Sequence, residues 1–188
     1  MDVKEAIEYR RAYRSLESVK ITNELILDLA KNASLAPSCY NKQPWRFVFV
    51  YESQMLKKLS TAMSKGNEWT QEASMIIAVF SLKDLDCVVK EREYYLFDTG
   101  MAVGFLILRA TELGFVTHPI AGFDEEKVKE ILGIPVHMRV ITLLIAGKKS
   151  DQVSPLLSEK MVEVEKQRPP RLKFEDFAFI DSYQSSER

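Results

Sequence analysis

Apolar residues recur every three or four positions in several segments of this sequence, a spacing that predicts amphipathic helices. Asp2 is placed to cap the first helix and Thr22 the second. A third helix is predicted to begin at Ser53, and a fourth to follow Asp124 and end at Leu132. These four helices are separated by segments with a different pattern.

The longest predicted helix runs from about Glu91 to Leu113. Its most apolar part, Met101 to Leu108, is far shorter than the roughly 20 residues that cross a bilayer, so we expect a buried helix and no membrane span. Gly100 and Gly104 lie within it, and each costs about 1 kcal/mol relative to alanine. Close packing against a partner helix is the expected compensation.

Aromatic and β-branched residues predict the strands. Strands are expected within residues 45–51, 75–81, 115–120 and 138–147. Residues 148–188 are polar and interrupted by prolines, with a helix predicted between Leu156 and Glu165. We predict one domain over residues 1–188, in which the extension 148–188 wraps a neighbouring subunit.

Charge and cysteine content narrow the function. The formal net charge is -1 and the 26 basic residues are spread along the chain, so nucleic acid is not expected as a partner. The charged first turn favours a cytoplasmic protein. Cys39 and Cys87 lack the spacing of a metal or redox pair, and neither His118 nor His137 has a ligand partner nearby in the sequence. The sequence thus predicts reduced thiols and no metal site.

Two segments carry candidate chemistry. The first, RRAYR from Arg10 to Arg14, offers three guanidinium groups suited to phosphate, although a solvated helix end would look the same. The second, LAPSCYNKQPW from Leu35 to Trp45, presents neutral hydrogen-bonding groups suited to a flavin edge. An ordinary helix-to-strand loop would also explain it.

Together these motifs resemble those of the FMN-dependent nitroreductases, which pair an RRSxR-like motif with a downstream APSxxNxQPW-like motif. The resemblance continues through DTGMAVGFLILRATELG, GFVTHPIAGFD, the LGIP turn and RLKFEDF. It implies an α+β fold, an α/β/α sandwich whose mainly antiparallel sheet is flanked by helices, in an intertwined homodimer. It also implies FMN at the subunit interface and hydride transfer from NAD(P)H to a small electron-poor acceptor such as a nitroaromatic or quinone.

The resemblance also implies residue roles. Arg10, Arg11 and Arg171 would hold the FMN phosphate, and Arg14 would be the electrostatic catalyst beside flavin N1 and the C2 carbonyl. The full set of implied cofactor-binding positions is Arg10, Arg11, Ala12, Arg14, Pro37, Ser38, Cys39, Asn41, Gln43, Pro119, Ile120, Ala121, Gly122 and Arg171. Pro37, Ser38, Cys39 and Asn41 would face FMN bound mainly to the other subunit, and Gln43 would orient this loop.

The chain departs from the family pattern at Ala12, which replaces the usual serine and removes a hydroxyl contact. Lys65 and Asn67 lie in a stretch where an asparagine and a lysine of longer members reach the flavin. A short connection before the long helix favours an open, permissive pocket. Two other functions stay open: an FMN-binding storage or sensor protein without turnover, and an interaction protein that keeps the scaffold without flavin.

Overall fold

The computed structural model describes residues 1–183, so the end of the predicted extension lies outside the described range. The α-helices are α1 (Val3–Tyr9), α2 (Asn23–Ser34), α3 (Ser53–Ser60), α4 (Tyr94–Glu112), α5 (Glu125–Leu132) and α6 (Glu159–Lys166). The strands are β1 (Leu16–Glu17), β2 (Arg46–Val50), β3 (Met75–Ser81), β4 (Val88–Val89), β5 (Arg92–Glu93), β6 (Val116–Ile120) and β7 (Arg139–Lys149).

Strand β7 is the centre of an antiparallel sheet. It pairs with β3 over most of its length, with β6 from Gly147 to Leu143, and with β1 at its carboxyl end. Strand β2 extends the sheet beyond β3. All of these pairings are antiparallel, which confirms the predicted sheet.

Both faces of this sheet are buried, each beneath a layer of helices. Successive residues of a strand point to opposite faces. In β3, Ile76 and Ala78 join a core with helices α3 and α5, whereas Ile77 and Val79 join a core with helices α2 and α4. This explains why MIIAVFS is apolar throughout instead of alternating. The resulting three layers form the predicted α/β/α sandwich.

The predicted helix boundaries follow from local caps. Asp2 accepts the Glu5 N–H at 2.8 Å while Glu5 returns a bond to the Asp2 N–H, which is a capping box. Gly133 ends α5 in the left-handed conformation with φ of 66°, which glycine adopts without strain. The sequence reading missed β1 and the β4–β5 hairpin, because two-residue strands leave no periodic pattern.

Helix α4 buries one face and exposes another. Ala102, Leu106 and Ala110 are fully buried, whereas Leu96, Phe97 and Phe105 are exposed. Among residues 1–183, no atom lies within 4 Å of a Cβ built on Gly100 or Gly104. The expected packing partner of these glycines is therefore not within the described part of the chain. No helix in that part is long and apolar enough to span a bilayer.

The C-terminal extension packs against the N-terminal segment of its own chain through α6. Glu165 accepts hydrogen bonds from the backbone N–H groups of Arg14 and Ser15. Arg168 donates to the Arg10 carbonyl at 2.9 Å. Beyond α6 the extension exposes several large apolar side chains, namely Leu172, Phe174, Phe177 and Ile180. Wrapping of a neighbouring subunit stays a prediction.

Candidate active site

A basic cavity of about 180 Å³ lies between the end of α1 and the segment after α6. We call it the basic cavity. Its lining residues are Arg10, Arg11, Ala12, Arg14, Val164, Arg168, Pro169 and Arg171. Within the described residues, the lining contains five guanidinium groups and no carboxylate. The structure therefore brings the predicted arginines from both ends of the chain to one place.

The guanidinium groups of this cavity repel one another. Burial lowers the pKa of Arg10, and the positive charges of Arg168 and Arg171 lower that pKa further. Arg11 is held differently: it donates to the carbonyls of Val164 and Glu165 at 2.8 and 3.0 Å. Arg11 thus fixes α6 against the N-terminal segment, while Arg10 and Arg171 leave their charges facing the cavity.

Arg14 rests on a chain of contacts that leads away from the basic cavity. Its guanidinium carbon lies 5.8 Å from the centre of the fully buried Trp69 ring. The Trp69 indole donates to Asn67 Oδ1 at 3.3 Å, and Asn67 Nδ2 donates to the Gly122 carbonyl at 2.9 Å. A side chain at Gly122 would collide with Asn67 Nδ2. These contacts connect the predicted catalytic arginine to the predicted segment Pro119–Gly122.

His118 buttresses the same chain of contacts. Its ring lies 4.8 Å from the Trp69 ring, and its Nδ1 forms a 3.1 Å hydrogen bond to the Tyr13 carbonyl. Burial lowers the pKa of His118 to about 4, and the Arg14 charge contributes in the same direction. The imidazole is therefore neutral near pH 7, where it supports Trp69 and the backbone of Tyr13.

The loop from Pro37 to Gln43 has an unusual backbone. Tyr40, Asn41 and Gln43 all have positive φ, at 49°, 56° and 51°. The loop is held by its own polar groups: the Gln43 N–H donates to Ser38 Oγ at 3.0 Å, and Gln43 Nε2 donates to Asn41 Oδ1 at 3.2 Å. Such strained backbone conformations persist only where the surroundings enforce them, and they concentrate at functional sites.

Within one chain, this loop and the basic cavity are separate. The loop is attached to α4, since the Cys39 N–H donates to Asp98 Oδ2 at 2.6 Å. None of the loop residues lines the basic cavity, and neither does the segment Pro119–Gly122. The predicted site residues thus form two groups, one around Arg14 and one on the loop.

Comparison with known proteins identifies the architecture. A model of the nitroreductase family matches residues 7–76 and 62–148. The chain belongs to the nitroreductase family. This confirms the family resemblance read from RRAYR and APSCYNKQPW.

Three relatives of this nitroreductase-family chain illustrate the match. An oxygen-insensitive NADPH nitroreductase of Helicobacter acinonychis is 26% identical, over 71% of this chain and 80% of that protein. An NADH dehydrogenase of Thermus thermophilus is 25% identical, over 82% of this chain and 90% of that protein. A crystal structure described as an oxidoreductase containing FMN aligns with a TM-score of 0.84 at 26% identity, covering 98% of this chain and 94% of the other.

Sequence reasoning missed Arg168, which lines the basic cavity beside Arg171. The signal was present in the run QRPPR, where two prolines separate the two arginines by a fixed, extended spacer. It also missed Trp69 as the support of Arg14. Of the two residues left open, Asn67 contacts Gly122, whereas Lys65 is exposed.

The loop also meets an acidic environment on its α4 side. A hydrogen bond with the Cys87 thiol, together with burial and the carboxylates of Asp86 and Asp98, raises the pKa of Cys39 to about 11. Cys39 is therefore a protonated thiol near neutral pH.

Proposed function

We propose that this chain is an FMN-dependent oxidoreductase that takes a hydride from NAD(P)H and reduces an electron-poor small molecule such as a nitroaromatic or a quinone. The carrying observation is the convergence of Arg10, Arg14, Arg168 and Arg171 on one cavity in a chain of the nitroreductase family. One relative is an NADH dehydrogenase and another an NADPH nitroreductase, so both NADH and NADPH are candidate donors.

The chain's own residues fit the phosphate of FMN. Crowded guanidiniums without a lining carboxylate are stabilised by an anion, and planar guanidiniums bind phosphate oxygens through paired N–H donors. Each charge-assisted hydrogen bond contributes about 1.5 to 3 kcal/mol. Ala12 lies in the same lining with only its backbone as a polar group, which fits the loss of a serine hydroxyl there.

The chemistry that FMN supplies when bound is acceptance of a hydride from NAD(P)H and its delivery to the second substrate. Arg14 holds a fixed positive charge on the Trp69 ring, and Trp69 is connected through Asn67 to Gly122. A preorganised charge of this kind favours negative charge that develops on a neighbouring ring. The segment Pro119–Gly122 would offer backbone groups along that ring.

The proposed site is completed by a second copy of the chain. The loop with Ser38, Cys39 and Asn41 does not reach the basic cavity of its own chain, which supports its contact with FMN bound to the other subunit. Phe97 and Phe105 are exposed on α4, and a Cβ built on Gly100 or Gly104 would meet no other described element, which supports helix packing between subunits. A cytoplasmic location stays a prediction.

The decisive experiment follows the flavin spectrum. Full-length protein is reconstituted with FMN and titrated anaerobically with NADH and with NADPH. We expect at least one donor to bleach the bound flavin, and addition of a quinone or nitroaromatic to restore the oxidised spectrum. Steady NAD(P)H consumption with that acceptor would then follow.

Each step separates the competing functions. Bound FMN that neither donor reduces would overturn the proposal in favour of storage or sensing. Protein that stays colourless with excess FMN would favour an interaction protein. Sedimentation of the reconstituted protein tests the dimer independently, because a monomer that binds FMN tightly would contradict the shared site.

A further inference from the structure

The two cysteines of the chain meet in the folded structure. Cys39 lies on the loop after α2 and Cys87 lies between β3 and β4, 48 positions apart in the sequence. Their sulfur atoms and one carboxylate oxygen of Asp86 all lie within 4.8 Å of one another. We call Cys39, Asp86 and Cys87 the thiol–carboxylate cluster.

One carboxylate oxygen in this cluster has no partner. Asp86 is 8% exposed, and its Oδ1 accepts the Cys87 N–H at 2.7 Å. Its Oδ2 is buried without a hydrogen bond from any described residue. A buried carboxylate oxygen without a donor is rare in native structures and calls for an explanation.

A neighbouring group fixes one of the thiols. Asp98 on α4 is 1% exposed and holds the backbone of Cys39 through its Oδ2 at 2.6 Å. This bond fixes the backbone of the loop at Cys39, and with it the point from which the thiol extends. Asp98 is thus a positioning residue for Cys39, and it adds a second negative charge beside the cluster.

The donor set selects one class of ligand. Two thiolate sulfurs with one carboxylate oxygen suit a borderline-soft divalent cation such as Zn²⁺, whereas Mg²⁺ and Ca²⁺ prefer oxygen alone. Three protein ligands leave a fourth tetrahedral position for water. Binding releases the two thiol protons to solvent and changes no oxidation state.

We propose that Cys39 Sγ, Cys87 Sγ and the Asp86 carboxylate bind one Zn²⁺ ion, with Asp98 positioning Cys39. The ion satisfies the buried Asp86 oxygen and offsets the charge of the two carboxylates. It also ties the strained loop 37–43 to the segment after β3, and so restricts the loop that the proposed flavin site uses. The inference does not depend on that flavin site.

A disulfide between the same cysteines is the competing reading. It would leave the Asp86 oxygen unsatisfied. It would also require an external oxidant, because two thiols lose two electrons and two protons in forming it. The carboxylates therefore favour the metal.

The test uses the full-length protein with its FMN, stripped of metal and kept reduced by a phosphine, which does not compete as a thiol. Cadmium is added, and the ultraviolet charge-transfer band of cadmium–thiolate bonds is followed as a difference spectrum. We expect the band to saturate at one Cd²⁺ per chain, as counted by native mass spectrometry. Excess Zn²⁺ should then displace the Cd²⁺ and abolish the band.

The variants that assign the ligands lie outside the proposed flavin loop. Cys87→Ser should weaken Cd²⁺ binding by roughly 100-fold or more, and Asp86→Asn by roughly 10- to 100-fold. Asp84→Asn, an exposed carboxylate in the same segment, is the matched control and should leave the affinity unchanged. Circular dichroism and the flavin spectrum verify that each variant is folded.

Three outcomes would overturn the proposal. They are the absence of the thiolate band at equimolar Cd²⁺, unchanged affinity in a folded Cys87→Ser variant, and isolation of the protein two hydrogens lighter with Cys39 bonded to Cys87. None of these readouts depends on enzymatic activity. Failure here would leave the proposed oxidoreductase function intact.

Discussion

The basic cavity and the thiol–carboxylate cluster carry opposite charges, but both contain polar groups that lack a partner of opposite charge. In the first, Arg10, Arg168 and Arg171 crowd together without a lining carboxylate. In the second, Asp86 lies among thiols with a buried oxygen that no described residue satisfies. In both places, groups of like charge lie close together although this costs stability. We therefore infer that each site binds a ligand of opposite charge.

The two regions differ in how they are supported. The basic cavity sits on a rigid base, because Arg14 packs on the fully buried Trp69 and Arg11 is bonded to two backbone carbonyls. The thiol–carboxylate cluster rests on a loop with three residues in positive φ. The comparison suggests that a ligand of the basic cavity meets a preformed site, whereas a ligand of the cluster would itself hold the loop in place.

We expect the largest effect, a loss of FMN affinity, from removing two arginines of the basic cavity. The double variant Arg10→Ala/Arg171→Ala should weaken FMN binding by about 100-fold or more, because each lost charge-assisted bond is worth about 1.5 to 3 kcal/mol. Fluorescence titration of FMN measures the change. Riboflavin, which lacks the phosphate, should bind both proteins alike, and Lys173→Ala is a basic-residue control in the same extension. Equal losses for FMN and riboflavin would refute the phosphate assignment.

The second effect concerns the imidazole beneath the basic cavity. Burial and the Arg14 and Arg10 charges lower the pKa of His118 to about 4, against the opposing Tyr13 carbonyl and Glu165. The unfolded chain therefore binds this proton at higher pH than the folded chain. Stability from neutral His118 is fully present above about pH 6.5 and is lost as pH falls toward 4, on the order of 3 kcal/mol.

Urea unfolding across that pH range measures this slope. His118→Gln should flatten it, because the variant has no proton to take up. His137→Gln, at an exposed position, should keep the wild-type slope. If the free energy of unfolding fell equally steeply with decreasing pH in all three proteins, His118 would not be the cause of the acid destabilisation.

A smaller loss of FMN affinity measures the contribution of Arg171 in the C-terminal extension. Arg171→Ala alone should weaken FMN binding roughly tenfold or more, which corresponds to about 1.4 kcal/mol. Arg171→Lys should recover part of the loss, because the charge remains while the paired donors are removed. Unchanged affinity in Arg171→Ala, measured by the same titration, would move the phosphate site away from the extension.

The smallest effect belongs to the acidic side. Without metal, Asp86→Asn should raise the free energy of unfolding slightly, on the order of 0.5 kcal/mol, because it removes the cost of burying this charge and its repulsion from Asp98. With excess Zn²⁺ the wild-type protein should become the more stable of the two, because Zn²⁺ binding stabilises it more than it stabilises the variant. Thermal unfolding with and without Zn²⁺ measures both. A variant stabilised by Zn²⁺ as much as wild type would place the ion elsewhere.

Much of the fold was readable from local signals. The caps at Asp2 and Asp124 and the stop at Gly133 are set by bonds within a few residues, and the structure confirms them. The motif RRAYR and the later Arg171 were likewise visible, and the structure brings them to one cavity. Their assignment to FMN stays a proposal.

The sequence by itself determined the longer helices and strands, several of their caps and the family to which the chain belongs, because these depend on periodicity and on residues close together in the chain. The tertiary structure alone decided that Arg168 joins Arg10, that Trp69 supports Arg14, and that Cys39 meets Cys87. These contacts form because α6 packs on the N-terminal segment and because the loop after α2 bonds to α4. Since their partners are separated by tens of residues or more, no local pattern records them.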